Sequence, residues 1–277
     1  MRTISLLLLS VIVQTVCFAQ ITVEGNVVNE RGENIEYVSI GFEEDDGEDQ
    51  SSGVGVISDA NGHFTLKIPA GRKKELSFSH VSYLTTEIPY QEYSKGKPLT
   101  VVLKDRVVEL TEVVIGKKNK PKTIVGKGVP LPGLVATSGR GSDLGPEAGV
   151  AFTCHKEYAL SDILVKISEC TFRHCKVSIN VYEMVGKQFV NIHQKPIYED
   201  VKQVKGGYTL DVRPEEDIVL KPKKHYYVSI RLVDGYGENG SLYMNGYIKN
   251  GLYRNAVKGR TKKLPARPAI IVKGYEI

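Results

Sequence analysis

The sequence has no tryptophan, few cysteines and no motif of the common hydrolases. Four cysteines occur in 277 residues, and 15 tyrosines outnumber seven phenylalanines. The chain contains no His-Glu-x-x-His or His-x-x-Glu, no Gly-x-Ser-x-Gly and no Gly-x-x-x-x-Gly-Lys. These absences argue against a zinc peptidase, an α/β-hydrolase and a P-loop nucleotide hydrolase. The sequence offers no catalytic residue and no cofactor site, so we expect a protein that is not an enzyme.

Residues 1–19 have the pattern of a secretory signal peptide. Arg2 gives a positively charged start, residues 6–13 are mainly apolar, and Cys17 and Ala19 are the small residues before a cleavage site. The apolar run is too short to span a membrane, and no later segment is apolar enough to cross one. A lipid anchor on Cys17 is the alternative, although Val16 is bulky where that processing requires a small residue. We therefore expect a secreted protein that is periplasmic, outer-membrane-associated or extracellular.

The net charge differs in sign between the two halves of the chain. Residues 20–115 contain 9 Lys and Arg and 17 Asp and Glu, a net charge of −8. Residues 116–277 contain 27 Lys and Arg and 15 Asp and Glu, a net charge of +12. This asymmetry fits two domains whose surfaces are simply solvated, or a basic second half that binds an acidic or phosphorylated polysaccharide. Secretion argues against nucleic acid as a partner.

Three cysteines remain after the signal peptide, and two histidines lie beside them in sequence. These five residues are candidates for metal ligands, although their spacing fits no standard zinc motif and no Cys-x-x-Cys occurs. The alternatives are a disulfide between the second and third cysteines across a hairpin loop, or reduced thiols packed in the core. The residues are Cys154, His155, Cys170, His174 and Cys175.

Short alternating segments separated by turn residues dominate residues 20–115. The pattern is typical of an antiparallel β-sandwich, with a tight turn at Asp59-Ala60-Asn61-Gly62. Four segments carry a more specific signal, residues 23–28, 32–40, 58–66 and 76–83. In this order they resemble the carboxypeptidase regulatory-like domain. The resemblance implies a seven-strand, transthyretin-like β-sandwich that accompanies certain carboxypeptidases without being their catalytic part.

Residues 108–115 resemble the segment that joins this domain to the plug of TonB-dependent outer-membrane receptors. Those receptors continue through a plug and a barrel, whereas this chain has 277 residues. The resemblance implies an accessory module of the cell envelope and not a transporter.

The second half predicts a further β domain. Residues 116–149 are rich in Gly, Lys and Pro and indicate a linker. Residues 150–277 contain several strand patterns, among them residues 175–182 and 225–233. We therefore expect an all-β chain whose second domain is a jelly-roll-like sandwich.

Tyrosines crowd the last third of the chain. Aromatic rings with polar tips suit the stacking of sugars, although a sandwich core also needs large side chains. The candidate ligand-binding residues are Tyr236, Tyr243, Tyr247 and Tyr253. The leading hypothesis is a non-catalytic binding or assembly module of the cell envelope, with a glycan or a partner protein as ligand. The alternatives are an enzyme with its site between the domains and a purely structural envelope component.

Overall fold

The computed structural model describes residues 20–42, 54–69, 71–106, 120–138, 145–235, 239–255 and 260–277. The predicted signal peptide, the receptor-like segment 108–115 and Tyr236 lie outside the described residues. The described chain consists of β-strands and one short helix, which confirms the all-β prediction. No helix in the described part is long and apolar enough to cross a membrane.

The first domain is a sandwich of seven strands in two sheets. One sheet has the order β4-β1-β7 and the other the order β3-β2-β5-β6. In β4 the side chains of Phe64, Leu66 and Ile68 are buried and alternate with exposed neighbours, as the period of a strand requires. The elements are β1 (Gln20–Asn29), β2 (Ser39–Gly41), β3 (Gly55–Ile57), β4 (His63–Pro69), β5 (Leu76–Ser79), β6 (Thr86–Ile88), α1 (Tyr90–Tyr93) and β7 (Leu99–Leu103).

The predicted tight turn leads into β4. The Asp59 carboxylate accepts hydrogen bonds from the backbone N–H groups of Asn61 (2.8 Å) and His63 (2.9 Å). Gly62 has a φ of 76°, a conformation that glycine adopts without a steric penalty. The Gly62 carbonyl also accepts from the Val27 N–H of β1 at 2.9 Å, next to the residues where β4 pairs with β1.

The second domain contains fifteen described strands in two further sheets. One sheet has the order β13-β12-β17-β10-β19-β20, with β14 also on β12. The other has the order β21-β18-β11-β22-β8, with β15 and β16 on β11 and β9 on β18. The strands are β8 (Lys122–Val125), β9 (Leu131–Ser138), β10 (Pro146–Thr153), β11 (Tyr158–Cys170), β12 (Lys176–Val185), β13 (Gln188–Asn191), β14 (Ile197–Asp200), β15 (Val204–Val212), β16 (Val219–Leu220), β17 (His225–Asp234), β18 (Ser241–Tyr247), β19 (Gly251–Asn255), β20 (Arg260–Leu264), β21 (Arg267–Pro268) and β22 (Ile270–Glu276).

A single core fills the space between these two sheets. Ile179 of β12 and Val228 of β17 belong to the same buried cluster as Ile163 of β11 and Val272 of β22. The long strands at the centre of each sheet are thus held together by apolar side chains from both sheets. This packing makes the second half of the chain a second β-sandwich.

The linker predicted over residues 116–149 is wrong for the described residues from 122 onward. β8 pairs with β22, and β9 pairs with β18, so both strands are integral to the second sandwich. β10 begins at Pro146 and pairs with β17 and β19. Two of the glycines that suggested a linker have positive φ angles, Gly126 directly after β8 and Gly133 within β9, and glycine adopts these angles without a steric penalty. Composition could not distinguish these strands from an irregular connection.

Candidate functional site

A cleft of about 690 Å³ lies between the two sandwiches. Several hydrogen bonds hold the domains together at its edges. The Arg106 guanidinium donates to the carbonyl oxygens of Asn191 (3.2 Å) and His193 (2.7 Å). Ser82 donates to the carbonyl oxygen of Gln194 at 2.6 Å. The lining from the first domain includes Ser39, Ser77, Ser79, His80, Tyr83 and Arg106, and from the second domain Ser178, Asn180, Tyr182, Lys187, Phe189, Tyr198, Arg231 and Arg254.

A small apolar contact also joins the domains. Tyr37 and Ile57 of the first domain pack with Val233 and Tyr198 of the second. The rings of Tyr37 and Tyr198 meet edge to face, with centroids 5.0 Å apart. Tyr37 has a φ of 52°, which a residue other than glycine rarely adopts, so the surrounding packing must stabilise it. The interface is therefore built from specific contacts on both domains.

The floor of the cleft is the outer face of the seven-stranded sheet. In β12 the odd-numbered side chains face the core, whereas Ser178, Asn180 and Tyr182 lie on the opposite face. Ser178 is the cross-strand partner of Arg231 in β17. Arg231 in turn pairs with Glu147 in β10. Glu147 pairs with Arg254 in β19, so one row of polar residues crosses four strands.

The Glu147 carboxylate is fully buried beneath the cleft. Arg254 donates to its Oε1 at 2.5 Å, and Ser229 donates to its Oε2 at 2.7 Å. Asn180 adds a longer contact of 3.4 Å. Although burial lowers the pKa of Arg254, the pKa is raised overall because the Glu147 carboxylate favours the charged guanidinium. The pair is thus a fully satisfied ion pair, the form in which a protein tolerates buried charge.

Aromatic rings surround the Arg254 guanidinium. Its Cζ atom lies 5.0 Å from the ring centroid of Tyr182 and 4.9 Å from that of Phe189. Tyr182 stacks on Tyr227, with an interplanar angle of 21°. Burial, followed by the Glu147 charge, raises the pKa of Tyr182 to about 12, so its hydroxyl stays protonated. This cluster presents a rigid cationic and aromatic wall to the cleft.

Arg231 differs from Arg254 because it forms no salt bridge with any described residue. Only 9% of its surface is exposed. Its Nε donates to Ser178 at 3.3 Å, and its Nη1 donates to Ser39 of the first domain at 2.8 Å. Both acceptors are neutral hydroxyls. Arg231 therefore brings an uncompensated positive charge into the cleft.

Two histidines lie near the domain boundary. His80 Nδ1 accepts from the backbone N–H of Ser82 at 3.2 Å, and its Nε2 lies 3.2 Å from the Tyr198 hydroxyl. Burial, followed by the electrostatic effects of Arg231, His193 and Arg106, lowers the pKa of His80 to about 3. Burial also lowers the pKa of His193, which makes a 2.8 Å contact to the Lys195 carbonyl. Both imidazoles are neutral at physiological pH.

The described lining of the cleft is cationic. Three guanidiniums and the Lys187 ammonium contribute to it, and no Asp or Glu is among the described lining residues. Serine hydroxyls, three side-chain amides, aromatic rings and several aliphatic side chains are also part of the surface. Such a surface can bind a ligand that presents hydroxyl groups, flat apolar faces and negative charge.

The predicted tyrosines lie elsewhere in the second domain. Tyr247 is buried, donates to the Gly126 carbonyl at 2.7 Å and packs under Arg267. Tyr243 is partly exposed on β18, and Tyr253 is partly exposed on β19. None of these three lines the interdomain cleft. Their binding of a ligand stays a prediction.

The cysteines are buried, and the five metal-ligand candidates do not form one cluster. Within the described ranges, no group of three or more His, Cys, Asp or Glu side chains could hold a metal ion. Cys154 donates to the Lys156 carbonyl, and His174 contacts Asp234 at 3.1 Å. Cys170 and Cys175 flank the loop between β11 and β12 as thiols, and burial followed by the neighbouring Cys170 raises the pKa of Cys175. Their oxidation to a disulfide stays a prediction.

Sequence reasoning missed the residues of the cleft. Arg231 and Arg254 of the lining, and Glu147 beneath it, are far apart in the chain and belong to no motif. The available signal was alternation, since Ser178 and Asn180 recur at every second position between apolar residues. That pattern ordinarily indicates a solvated sheet face, and here Ser178 and Asn180 line a cleft between two domains.

Comparison with known proteins gives a family for the first domain alone. Residues 23–115 match the family described as the CarboxypepD_reg-like domain, which confirms the resemblance found in the sequence. No curated protein sequence matches the chain.

Several solved structures share a distant likeness with the chain. The cysteine protease and lectin-like domains of a surface layer associated protein of Clostridium difficile are 10% identical, with a TM-score of 0.38 over 87% of this chain and 59% of that one. A structure of infectious bursal disease virus, Gt strain, is 10% identical, with a TM-score of 0.28 over 93% of this chain and 59% of that one. The chain thus spans less than two thirds of the length of either structure. TM-scores this low carry no argument about function.

Proposed function

We propose that this protein is a non-catalytic binding module of the cell envelope that holds a glycan in the cleft between its two sandwiches. The observation that carries the proposal is the chemistry of the cleft. Hydroxyls, side-chain amides, guanidiniums and aromatic rings converge there on one concave surface. Glycans are bound by this combination, because hydroxyl groups need directional partners and pyranose rings have an apolar face.

Each domain supplies part of the proposed binding surface. The first domain contributes Ser77, Ser79 and Tyr83, and the second contributes Asn180 and Phe189. The interdomain hydrogen bonds hold the two contributions in a fixed relation before a ligand arrives. Preorganisation of this kind reduces the entropic cost of binding.

A binding role is favoured over hydrolysis by the placement of the carboxylates. Most glycoside hydrolases use two carboxylates that flank the scissile bond. The described lining contains neither Asp nor Glu. Glu147 lies beneath the surface with a side chain that is 0% exposed, and it is engaged by Arg254 and Ser229. Neither of its oxygens is positioned to act on a ligand.

The envelope location rests on the predicted signal peptide and on the regulatory-like domain of residues 23–115. A partner protein in the cleft, an enzyme with its site there, and a purely structural component are the alternatives. The binding test below separates them.

The test is a binding assay of the full chain against purified envelope polysaccharides, with envelope proteins as a separate arm. A Ser77→Tyr substitution places a bulky ring in the cleft from the first domain. The matched control is Thr65→Tyr, since Thr65 is exposed on the other sheet of the same domain. We expect Ser77→Tyr to weaken glycan binding at least about tenfold and Thr65→Tyr to leave it unchanged, a loss typical of a blocked contact surface.

Three results would contradict the proposal. Binding of the chain to envelope proteins but not to polysaccharides would favour a protein partner. Binding to neither would favour a structural role. Shortening of a bound glycan, followed by mass spectrometry, would establish an enzyme.

A further inference from the structure

Arg231 is a buried cation whose compensating charge is missing from the described part of the chain. It is 9% exposed, and its cross-strand neighbour Glu147 is the nearest carboxylate along the sheet. Both oxygens of Glu147 are engaged by other groups, Oε1 by Arg254 and Oε2 by Ser229. A buried charge without an ionic partner is costly, and a bound anion removes that cost.

The hydrogen bonds around Arg231 leave several donors unused. Ser178 Oγ accepts from Arg231 Nε (3.3 Å) and from Asn180 Nδ2 (3.2 Å), so its own proton remains available. Ser39 Oγ accepts from Nη1 at 2.8 Å and likewise keeps its proton. Arg231 Nη2 has no acceptor among the described residues. These groups offer donors and no charged acceptor.

The neighbouring His80 adds one more donor. Its Nδ1 accepts from the Ser82 backbone N–H, so the proton of the neutral ring is assigned to Nε2. Nε2 then donates to the Tyr198 oxygen at 3.2 Å, which leaves the Tyr198 hydroxyl proton free to donate. Burial raises the pKa of Tyr198, so this proton is retained.

From this arrangement we infer that Arg231, Ser39, Ser178 and Tyr198 form an oxyanion-binding centre within the cleft. Its ligand is a carboxylate or phosphate group carried by the glycan, because both anions accept the forked donors of a guanidinium. The inference rests on the proposed function and narrows it to acidic glycans. Ser39 comes from the first domain and the other three residues from the second, so the centre exists only when the domains are docked.

The experiment measures binding of the full chain by isothermal titration calorimetry with matched charged and neutral probes. Tetragalacturonate is compared with its fully methyl-esterified form. A mannose oligosaccharide with a terminal phosphate is compared with its dephosphorylated form, and inorganic phosphate is titrated alone. The variants are Arg231→Gln, Arg231→Lys and the control Lys205→Gln, which removes one exposed positive charge from β15 in the other sheet.

We expect at least one charged probe to bind more tightly than its neutral counterpart. Arg231→Gln should lower the affinity for that charged probe by about 10- to 100-fold, because charge-assisted hydrogen bonds are lost. The affinity of Arg231→Gln for the neutral probe should equal that of the wild type. Arg231→Lys should restore part of the affinity, because lysine supplies the positive charge but not the paired N–H donors of a guanidinium. Lys205→Gln should behave as wild type.

The outcomes separate this inference from the function on which it rests. Equal binding of charged and neutral glycans by the wild type would refute the oxyanion centre while leaving glycan binding intact. The same holds if Arg231→Gln and Lys205→Gln lose affinity equally. Binding of inorganic phosphate that depends on Arg231, with no glycan bound, would support the centre and refute the glycan. If circular dichroism shows that Arg231→Gln does not fold, Arg231→Lys and the paired probes on the wild type still test whether the centre binds an anion.

Discussion

Removing Arg254 while keeping Glu147 should strongly destabilise the second sandwich. Glu147 has a side chain that is 0% exposed, and Arg254 Nη1 lies 2.5 Å from its Oε1. An Arg254→Met substitution leaves the carboxylate buried with only neutral donors, chiefly Ser229 at 2.7 Å. Breaking a buried ion pair on one side costs about 3–5 kcal/mol. The substitution also removes the stacking on Tyr182 and Phe189, worth about 1 kcal/mol.

The double substitution Glu147→Gln with Arg254→Met should recover part of this loss. Glutamine removes the buried charge and retains an amide oxygen that accepts from Ser229. We therefore expect Arg254→Met alone to lower the free energy of unfolding by about 3–5 kcal/mol, and the double variant to be more stable than that single variant by about 1–2 kcal/mol.

The assay is urea unfolding followed by far-UV circular dichroism and by tyrosine fluorescence, which is usable because the chain has no tryptophan. Double-mutant analysis then gives the coupling free energy directly. A loss below about 1 kcal/mol for Arg254→Met would refute the buried ion pair, since surface pairs contribute that little. Additive losses in the double variant would refute the coupling.

Three further predictions concern the domain boundary and the buried thiols. His80 has a pKa of about 3 in the folded state against 6.5 when unfolded, so the unfolded chain takes up the proton and stability falls as the pH drops below about 6.5. We expect the free energy of unfolding to fall by about 1 kcal/mol between pH 7 and 5, a value reduced because the ring is partly exposed. The stability of His80→Gln should depend less on pH, and a pH dependence equal to that of the wild type would contradict the assignment. Because burial raises the pKa of Cys175, iodoacetamide should label it far more slowly in the folded chain than in urea, and equal rates would show that it is accessible. Arg106→Ala removes two hydrogen bonds between the domains, so small-angle scattering should show a larger radius of gyration, and an unchanged radius would mean that the remaining contacts suffice.

Much of the fold could be predicted from local patterns. The turn of residues 59–62 and the alternation of Phe64, Leu66 and Ile68 act over a few residues, and the structure has them as predicted. The Gly- and Pro-rich stretch before β10 was interpreted wrongly. β8 and β9 are strands because they pair with β22 and β18, which lie more than 100 residues later in the chain. Pairing at that distance leaves no local signature.

The candidate site was out of reach for the same reason. Tyrosines stand out in the sequence, and Tyr247 proved to be a buried side chain with a backbone partner. Arg231 is one of many basic residues in the second half, and nothing in its neighbours marks it. Arg231 stands out only in the structure, where it is 9% exposed and donates to Ser39 across the domain boundary.

The sequence by itself determined an all-β chain, a regulatory-like first domain and opposite charges on the two halves. Periodicity, turn chemistry and composition are local quantities, so they could be read without the fold. The tertiary structure alone decided that Ser178, Arg231, Glu147 and Arg254 form one row across four strands. It also decided that Arg231 in this row faces Ser39 of the first domain and that Ser178, Arg231 and Arg254 line a cleft. Alternation shows which side chains share a face of a sheet, but only the packing of distant segments shows whether that face meets water, a core or a cleft.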